Sequence, residues 1–251
     1  MPPQTNPLND VNILKAGDCG IVVDFGNRID PALNARVHRL ARAIARAMPE
    51  LVGEVVPTYR SLTVSFNPLQ ASRESLVARI RELLTGTDDA AGPAEQATVV
   101  DIPVCYGGDY GPDLAHVAQH NGLGMDEVIA IHTAQPYRVY MLGFTPGFPY
   151  LGGMSERIAT PRLAQPRVAI PAGSVGIAGS QTGIYPIESP GGWQLIGRTP
   201  LRLFNPAADS PFLFAAGDHL RFCAIDPRGF LAIQQELAQG HDAPRTWRMA
   251  A

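Results

Sequence analysis

The sequence predicts an α+β chain of two domains: a ferredoxin-like α+β domain over residues 1–95, then a β-barrel over residues 96–251. Three observations support this division. Strand-like and helix-like patterns alternate through the first hundred residues. Residues 85–97, T-G-T-D-D-A-A-G-P-A-E-Q-A, are small, acidic and poor in apolar side chains, as a linker is. Beyond Val104, strand-sized apolar runs recur between Gly/Pro turns, a spacing that favours a barrel or sandwich.

The elements follow in order. Residues 11–25 hold two short apolar runs split by a Gly-Asp turn, hence two strands. Asp30-Pro31 reads as an N-cap followed by proline at the first helical position. Leu33, Val37, Leu40, Ile44 and Met48 then recur at steps of three and four, giving one apolar helix face that Pro49 ends. Val52–Pro57 and Ser61–Phe66 are strand-like, the second with Leu62, Val64 and Phe66 alternating. Ser72 caps a second helix with a face of Leu76, Ile80 and Leu83 or Leu84. A sixth element near Ala97–Val104 would complete the ferredoxin-like β-α-β-β-α-β order. Short helices are expected over 112–122 and 126–133. Barrel strands are expected at Tyr137–Leu142, Arg167–Ile170, Val175–Ala178, Trp193–Ile196, Leu201–Phe204 and Leu220–Ile225.

Composition removes several function classes. With 45% hydrophobic and 17% charged residues and a formal net charge of −3, the chain has no global attraction to nucleic acid or anionic membranes. No run approaches a membrane span of ~18 residues, and the start M-P-P-Q-T-N-P-L-N-D lacks the basic and apolar regions of a signal peptide. The expected location is cytoplasmic. Lys15 is the only lysine, and no G-x-x-x-x-G-K-[ST] is present, so a P-loop is ruled out. Cys19, Cys105 and Cys223 form no C-x-x-C pair and read as small core residues.

Residues 141–205 are the informative segment. They hold eleven glycines and eight prolines, yet Phe144, Phe148, Tyr150, Tyr185, Trp193 and Phe204 are interleaved among them. That apolar bulk argues for turns between barrel strands rather than disorder. Arg157, Arg162, Arg167, Arg198 and Arg202 face only Glu156 and Glu188, a local balance of +3 inside a chain of net −3. Guanidinium forks and glycine-turn N–H groups suit a carboxylate or phosphate, so the expectation is an inward-facing polar cavity for an anionic small molecule.

Other motifs carry less. Ser174 in P-A-G-S-V-G is not the nucleophile of a G-x-S-x-G elbow. His116 and His120 stand four apart on a helix but lack the glutamate and third ligand of a metal site, so no metal is expected. His132 reads as a satisfied semi-buried histidine, and Asp109 and Asp113 as caps of the following helix.

Three blocks identify the chain by resemblance: G-F-T-P-G-F-P-Y-L-G-G-M at 143–154, P-R-x-x-x-P-R-V-A-I-P-A-G-S-V-G-I-A-G-x-Q-T-G-I-Y-P at 161–186, and S-P-G-G-W-Q-L-I-G-R-T-P-L-R-L-F at 189–204. They closely resemble the family of 5-oxoprolinase B subunits, also described as allophanate hydrolase subunit 1, which includes the Kip-type sporulation-kinase inhibitor. The family is similar to half of the carboxyltransferase domain of urea carboxylase. The resemblance implies that the barrel is cyclophilin-like. It also implies partner subunits C and A, with ATP used by the assembly to open 5-oxoproline to glutamate.

On that footing a lactam must be held while its carbonyl is activated, which calls for cationic clamps and oriented N–H donors. Arg167 and Arg198 are the candidate carboxylate or phosphate clamps, with Gln181 and Tyr185 as further catalytic candidates. Thr182, Ser189 and Ser174 are candidate hydrogen-bonding groups. Gly173, Gly179, Gly191 and Gly192 would allow close backbone approach, and Phe148, Tyr150 and Trp193 would wall the pocket. No metal or biotin attachment is expected on this chain. Two alternatives of other classes stand beside this one: a regulatory module that inhibits a sensor histidine kinase, and a subunit of a biotin-dependent urea or amide carboxyltransferase.

Overall fold

The structure, a computed structural model, describes residues 11–88 and 99–239. The chain divides into two compact units, Met1–Glu95 and Gln96–Ala251.

The first unit holds β1 (Asn12–Ala16), β2 (Gly20–Asp24), α1 (Pro31–Ala47), β3 (Val52–Pro57), β4 (Ser61–Phe66) and α2 (Arg73–Asp88). Its sheet is antiparallel throughout, in the order β1-β2-β4-β3. Helix α1 begins where Asp30 accepts a hydrogen bond from the Leu33 N–H at 2.9 Å, with Pro31 in the first turn. Val37, Leu40, Ile44 and Met48 are buried from it, and they meet Leu76, Ile80 and Leu84 of α2 over the alternating face of β4. The Ser72 hydroxyl caps α2 by accepting from the Ser75 N–H. The expected linker starts too early: residues 85–88 are the last turn of α2, and the rest of 85–97 lies outside the described residues.

The ferredoxin-like order does not hold as drawn. The strand assigned to close it, β5 (Val99–Tyr106), pairs in the second unit, and the first unit runs β-β-α-β-β-α. The reason is burial on both faces. Positions 100–105 of β5 are all buried, a pattern for a strand enclosed on both sides rather than for the edge of a one-faced sheet.

The second unit continues with α3 (Leu114–Asn121), α4 (Met125–Thr133), β6 (Tyr137–Leu142), β7 (Pro149–Gly152), a 3₁₀ turn (Glu156–Ile158), β8 (Arg167–Ile170), β9 (Ser174–Ala178), β10 (Gln181–Ile184), β11 (Ser189–Gly191), β12 (Gln194–Arg198), β13 (His219–Ile225) and α5 (Pro227–Ala238). Seven strands form one sheet in the order β10-β9-β12-β5-β13-β6-β7, and its end strands β10 and β7 lie against each other, so the barrel is nearly closed. β5 and β13 run parallel from Val99↔His219 to Cys105↔Ile225, and Arg221 forks onto buried Asp101 through two bonds of 2.8 Å. The segment Leu201–Phe204 is not a strand; only Phe204 bridges, to Phe212. β8 and β11 form a separate two-stranded ribbon.

Val100, Ile102, Val104, Val175, Ile177, Ile184 and Ile196 belong to the main core of this unit. Of the cysteines, Cys105 is buried, Cys223 is half-buried and Cys19 is exposed, so a core role fails for Cys19. Among the described residues no helix is long and apolar enough to cross a membrane.

Candidate functional site

The barrel interior is not the polar cavity the arginine count suggests. The main core is apolar, and Arg157, Arg162 and Arg202 are exposed, while Arg167 and Arg198 are half-buried. Cationic side chains stay out of such a core because burying an unpaired guanidinium costs more than local glycine flexibility could offset.

The aromatic candidates pack together instead of walling an open pocket. Phe148, Tyr185 and Trp193 are buried in a second small core with Ile170, Ala178 and Leu195, and Tyr150 packs against it. Phe148 meets Trp193 and Tyr185 edge-on, each with ring centroids 5.6 Å apart. Gly191 lies where a Cβ would stand 2.3 Å from the Tyr185 hydroxyl, so the ring fits only over glycine there. Burial pushes the Tyr185 phenol above its ordinary value, against the Trp193 backbone and the Arg162 and Arg167 charges, which pull it down. Tyr185 is therefore a neutral phenol at physiological pH and no general base.

Thr182 is fully engaged. Its Oγ1 donates to the Gly176 carbonyl at 3.0 Å, which leaves it an acceptor toward His132 Nε2 at 2.9 Å. His132 therefore carries its proton on Nε2, and Nδ1 accepts from the Tyr106 hydroxyl at 2.8 Å. The ring is fully buried, stacks on Phe222 at 4.3 Å and has its pKa lowered to about 3 by desolvation. Every polar atom of the imidazole is satisfied in the neutral form. This group holds α4, β5, β9 and β10 together, and it leaves Thr182 no proton to offer a substrate.

Arg167 is likewise committed. Its Nη2 donates to Asp113 Oδ1 at 2.8 Å, and its Nη1 reaches the Trp193 carbonyl at 3.4 Å. Asp113 does not cap α3 with its side chain; its Oδ2 accepts from the Leu195 N–H at 2.7 Å. The pair pins the β8–β11 ribbon to β12. Gln181 is half-buried at the start of β10, and Gly179 lies in a bridge to Thr160. Ser174 is buried opposite Arg198 in the β9–β12 ladder, the Ser189 Oγ faces the Ile187 carbonyl at 3.5 Å, and Gly192 accepts from the Leu163 N–H.

Arg198 is the candidate that reaches an open concavity. A cleft of about 530 Å³ is lined by Ala172, Pro186, Ile187, Glu188, Arg198, Thr199, Pro200, Leu201, Arg202, Phe204, Pro206, Phe230 and Gln234. The size falls within the range of small-molecule sites. Arg198 Nε donates to the Ala172 carbonyl at 3.0 Å and Arg202 Nε to the Phe204 carbonyl at 3.1 Å. Each guanidinium is thus oriented by backbone, with its Nη groups left for a ligand. Gly173 follows the lining residue Ala172: with φ +82° it accepts from the Thr199 N–H at 2.9 Å, and a Cβ there would stand 2.3 Å from the Thr199 carbonyl oxygen.

Reading the sequence missed Arg202 and Glu188 as site residues, and α5 altogether. The signal for α5 was present: Asp226-Pro227 repeats the Asp30-Pro31 cap, and Asp226 accepts from the Gly229 N–H at 2.7 Å. Among the described residues no group of three or more His, Cys, Asp or Glu could hold a metal ion. His116 and His120 are both exposed.

The carboxyltransferase domain family, subdomain C and D, matches residues 11–214. The chain is 44% identical over 239 residues to the B subunit of 5-oxoprolinase from Bacillus subtilis (strain 168), covering 89% of this chain and 97% of that protein. A crystal structure of a conserved uncharacterized protein from Pyrococcus horikoshii is 50% identical, with a TM-score of 0.53 over 87% of this chain and all of that one. The K. lactis urea amidolyase shares the fold at 20% identity, TM-score 0.78, over 96% of this chain and 16% of that much longer one. The blocks at 143–154, 161–186 and 189–204 all lie inside the matched span, and the chain belongs to the family of 5-oxoprolinase B subunits, built on subdomains C and D of the carboxyltransferase domain.

Proposed function

We propose that this chain is the B subunit of an ATP-dependent 5-oxoprolinase of the cytoplasm, a hydrolase of a cyclic amide that converts 5-oxo-L-proline to L-glutamate together with subunits C and A. One observation carries the chemistry: Arg198, fixed by the Ala172 carbonyl, offers free Nη groups in a cleft of small-molecule size. The 44% identity over nearly all of the Bacillus subtilis relative supports the substrate.

In this reading Arg198 fixes the carboxylate of the lactam and holds the ring in one orientation, which contributes through positioning. The barrel, cyclophilin-like by its family resemblance, supplies the rigid frame. The described residues offer no base–nucleophile pair beside Arg198, so water attack and phosphoryl transfer fall to groups from the partner subunits, which also take the nucleotide. The K. lactis urea amidolyase carries this fold as a small part of a longer chain, which agrees with a module completed by other domains.

Reconstitution tests it. The chain is combined with subunits C and A, and glutamate formation from 5-oxo-L-proline is measured with and without ATP. Omission of this chain abolishes turnover, and Arg198→Gln raises KM for 5-oxo-L-proline at least 10-fold. Undiminished activity without this chain ends the proposal. The match to a carboxyltransferase domain favours one second reading, a biotin-dependent carboxyltransferase of urea or a related amide. Bicarbonate- and biotin-dependent carboxylation by the same assembly, without glutamate formation, would favour it instead.

A further inference from the structure

We infer that the cleft is charge-matched to a monoanionic lactam carboxylate: Arg198 and Arg202 take the carboxylate and the ring carbonyl oxygen, and Glu188 accepts the ring N–H. This rests on the reading above and assigns the parts of the ligand to side chains.

Three features of the cleft lead to it. Both guanidinium groups are tied at Nε to main-chain carbonyls, at 3.0 and 3.1 Å, so their free Nη edges are fixed before a ligand arrives. Glu188 lines the same cleft, is exposed, and forms no ion pair with either arginine. An ionised carboxylate on this lining can accept a hydrogen bond from a donor on the ligand. The charges then count as two arginines against one glutamate, a balance of +1. A single carboxylate neutralises that balance. A nucleoside triphosphate brings several negative charges and meets Glu188 as a repulsive element, so the cleft discriminates against ATP. Ile187, Leu201 and Phe230 complete the lining with apolar surface suited to ring methylenes.

The test is equilibrium dialysis of labelled 5-oxo-L-proline against the reconstituted complex and against the full chain. The competitor is the lactone analogue, in which a ring oxygen replaces the N–H. The wild type prefers lactam over lactone at least 10-fold, because an acceptor covered by the ligand and facing a ring oxygen loses its partner. Glu188→Leu brings that ratio close to one, leaving lactone affinity within about 3-fold of wild type. Arg202→Gln weakens lactam and lactone alike by at least 10-fold. Thermal unfolding within a few degrees of wild type shows that each variant is folded. An unchanged lactam-to-lactone ratio in Glu188→Leu, or wild-type affinity in Arg202→Gln, overturns the inference. Glutamate formation by a complex whose variants bind normally would leave the functional reading intact and remove the cleft. The predicted binding pattern without ATP-dependent turnover would do the reverse.

Discussion

Acid should act on this protein through His132. The imidazole is completely buried and neutral, with a pKa lowered to about 3, and it would titrate near 6.5 once unfolded. The folded state therefore binds fewer protons than the unfolded state between those values, and stability falls as pH drops through that window. The loss is about 1.4 kcal/mol per pH unit below 6.5, or about 2 kcal/mol between pH 7 and pH 5. The perturbation that isolates it is His132→Phe, a ring of similar shape that cannot charge. Trp193 is buried in the second unit, so urea unfolding followed by its fluorescence reports on the unit that holds His132. The variant is less stable at pH 7, because Thr182 and Tyr106 lose their partner, but its stability declines less on acidification. The difference between the two pH slopes, not the absolute stability, is the readout, since other titrating groups cancel in it. Parallel pH dependences for wild type and variant would refute the argument.

Three other outcomes follow from the same geometry. Gly173→Ala places a Cβ 2.3 Å from the Thr199 carbonyl oxygen at φ +82°, and destabilises the second unit by roughly 2–4 kcal/mol in urea melts. Asp113→Ala removes the acceptor of the Leu195 N–H and the partner of Arg167. It costs roughly 2–3 kcal/mol, seen as a Tm lower by roughly 4–10 °C. Phe144 is the one described non-glycine residue at positive φ, +66°, with its ring 67% exposed. Phe144→Gly releases about 1 kcal/mol of backbone strain, so calorimetry shows a Tm equal to or above wild type despite the lost ring.

Local signals in the chain were read well where one element satisfied itself. The Asp30-Pro31 cap, the Val37/Leu40/Ile44 face and the limits of Val52–Pro57 and Ser61–Phe66 depend on neighbours in sequence, and the structure reproduces them. His132, expected to be semi-buried and satisfied, is fully buried; its inward place on a short helix was legible, but its partners Tyr106 and Thr182 lie 26 and 50 positions away. What failed depended on distant partners. A β5 strand looks the same on paper whether it closes the first sheet or runs beside β13, because pairing is decided by residues more than a hundred positions away. Phe148, Tyr185 and Trp193, one from each block, were equally ambiguous between pocket wall and core, and mutual edge-on packing placed them in the core. Arg202 stood out only as one of five arginines in the basic segment, and Glu188 only as one of its two acids. Only the fold brings the turn after β12, the turn before β11 and α5 around one cleft.

The Asp101–Arg221 fork joins positions 120 residues apart. On a ribosome adding ~5–20 residues per second, β5 therefore waits roughly 6–24 s for its parallel neighbour. The antiparallel strands of the first unit, whose pairings span at most 45 residues, can settle in that interval. A nascent chain arrested before His219 would leave β5, whose positions 100–105 are all buried in the folded protein, with one edge bare. Slow or interrupted synthesis between Tyr106 and His219 thus leaves this strand open to chaperone capture or aggregation.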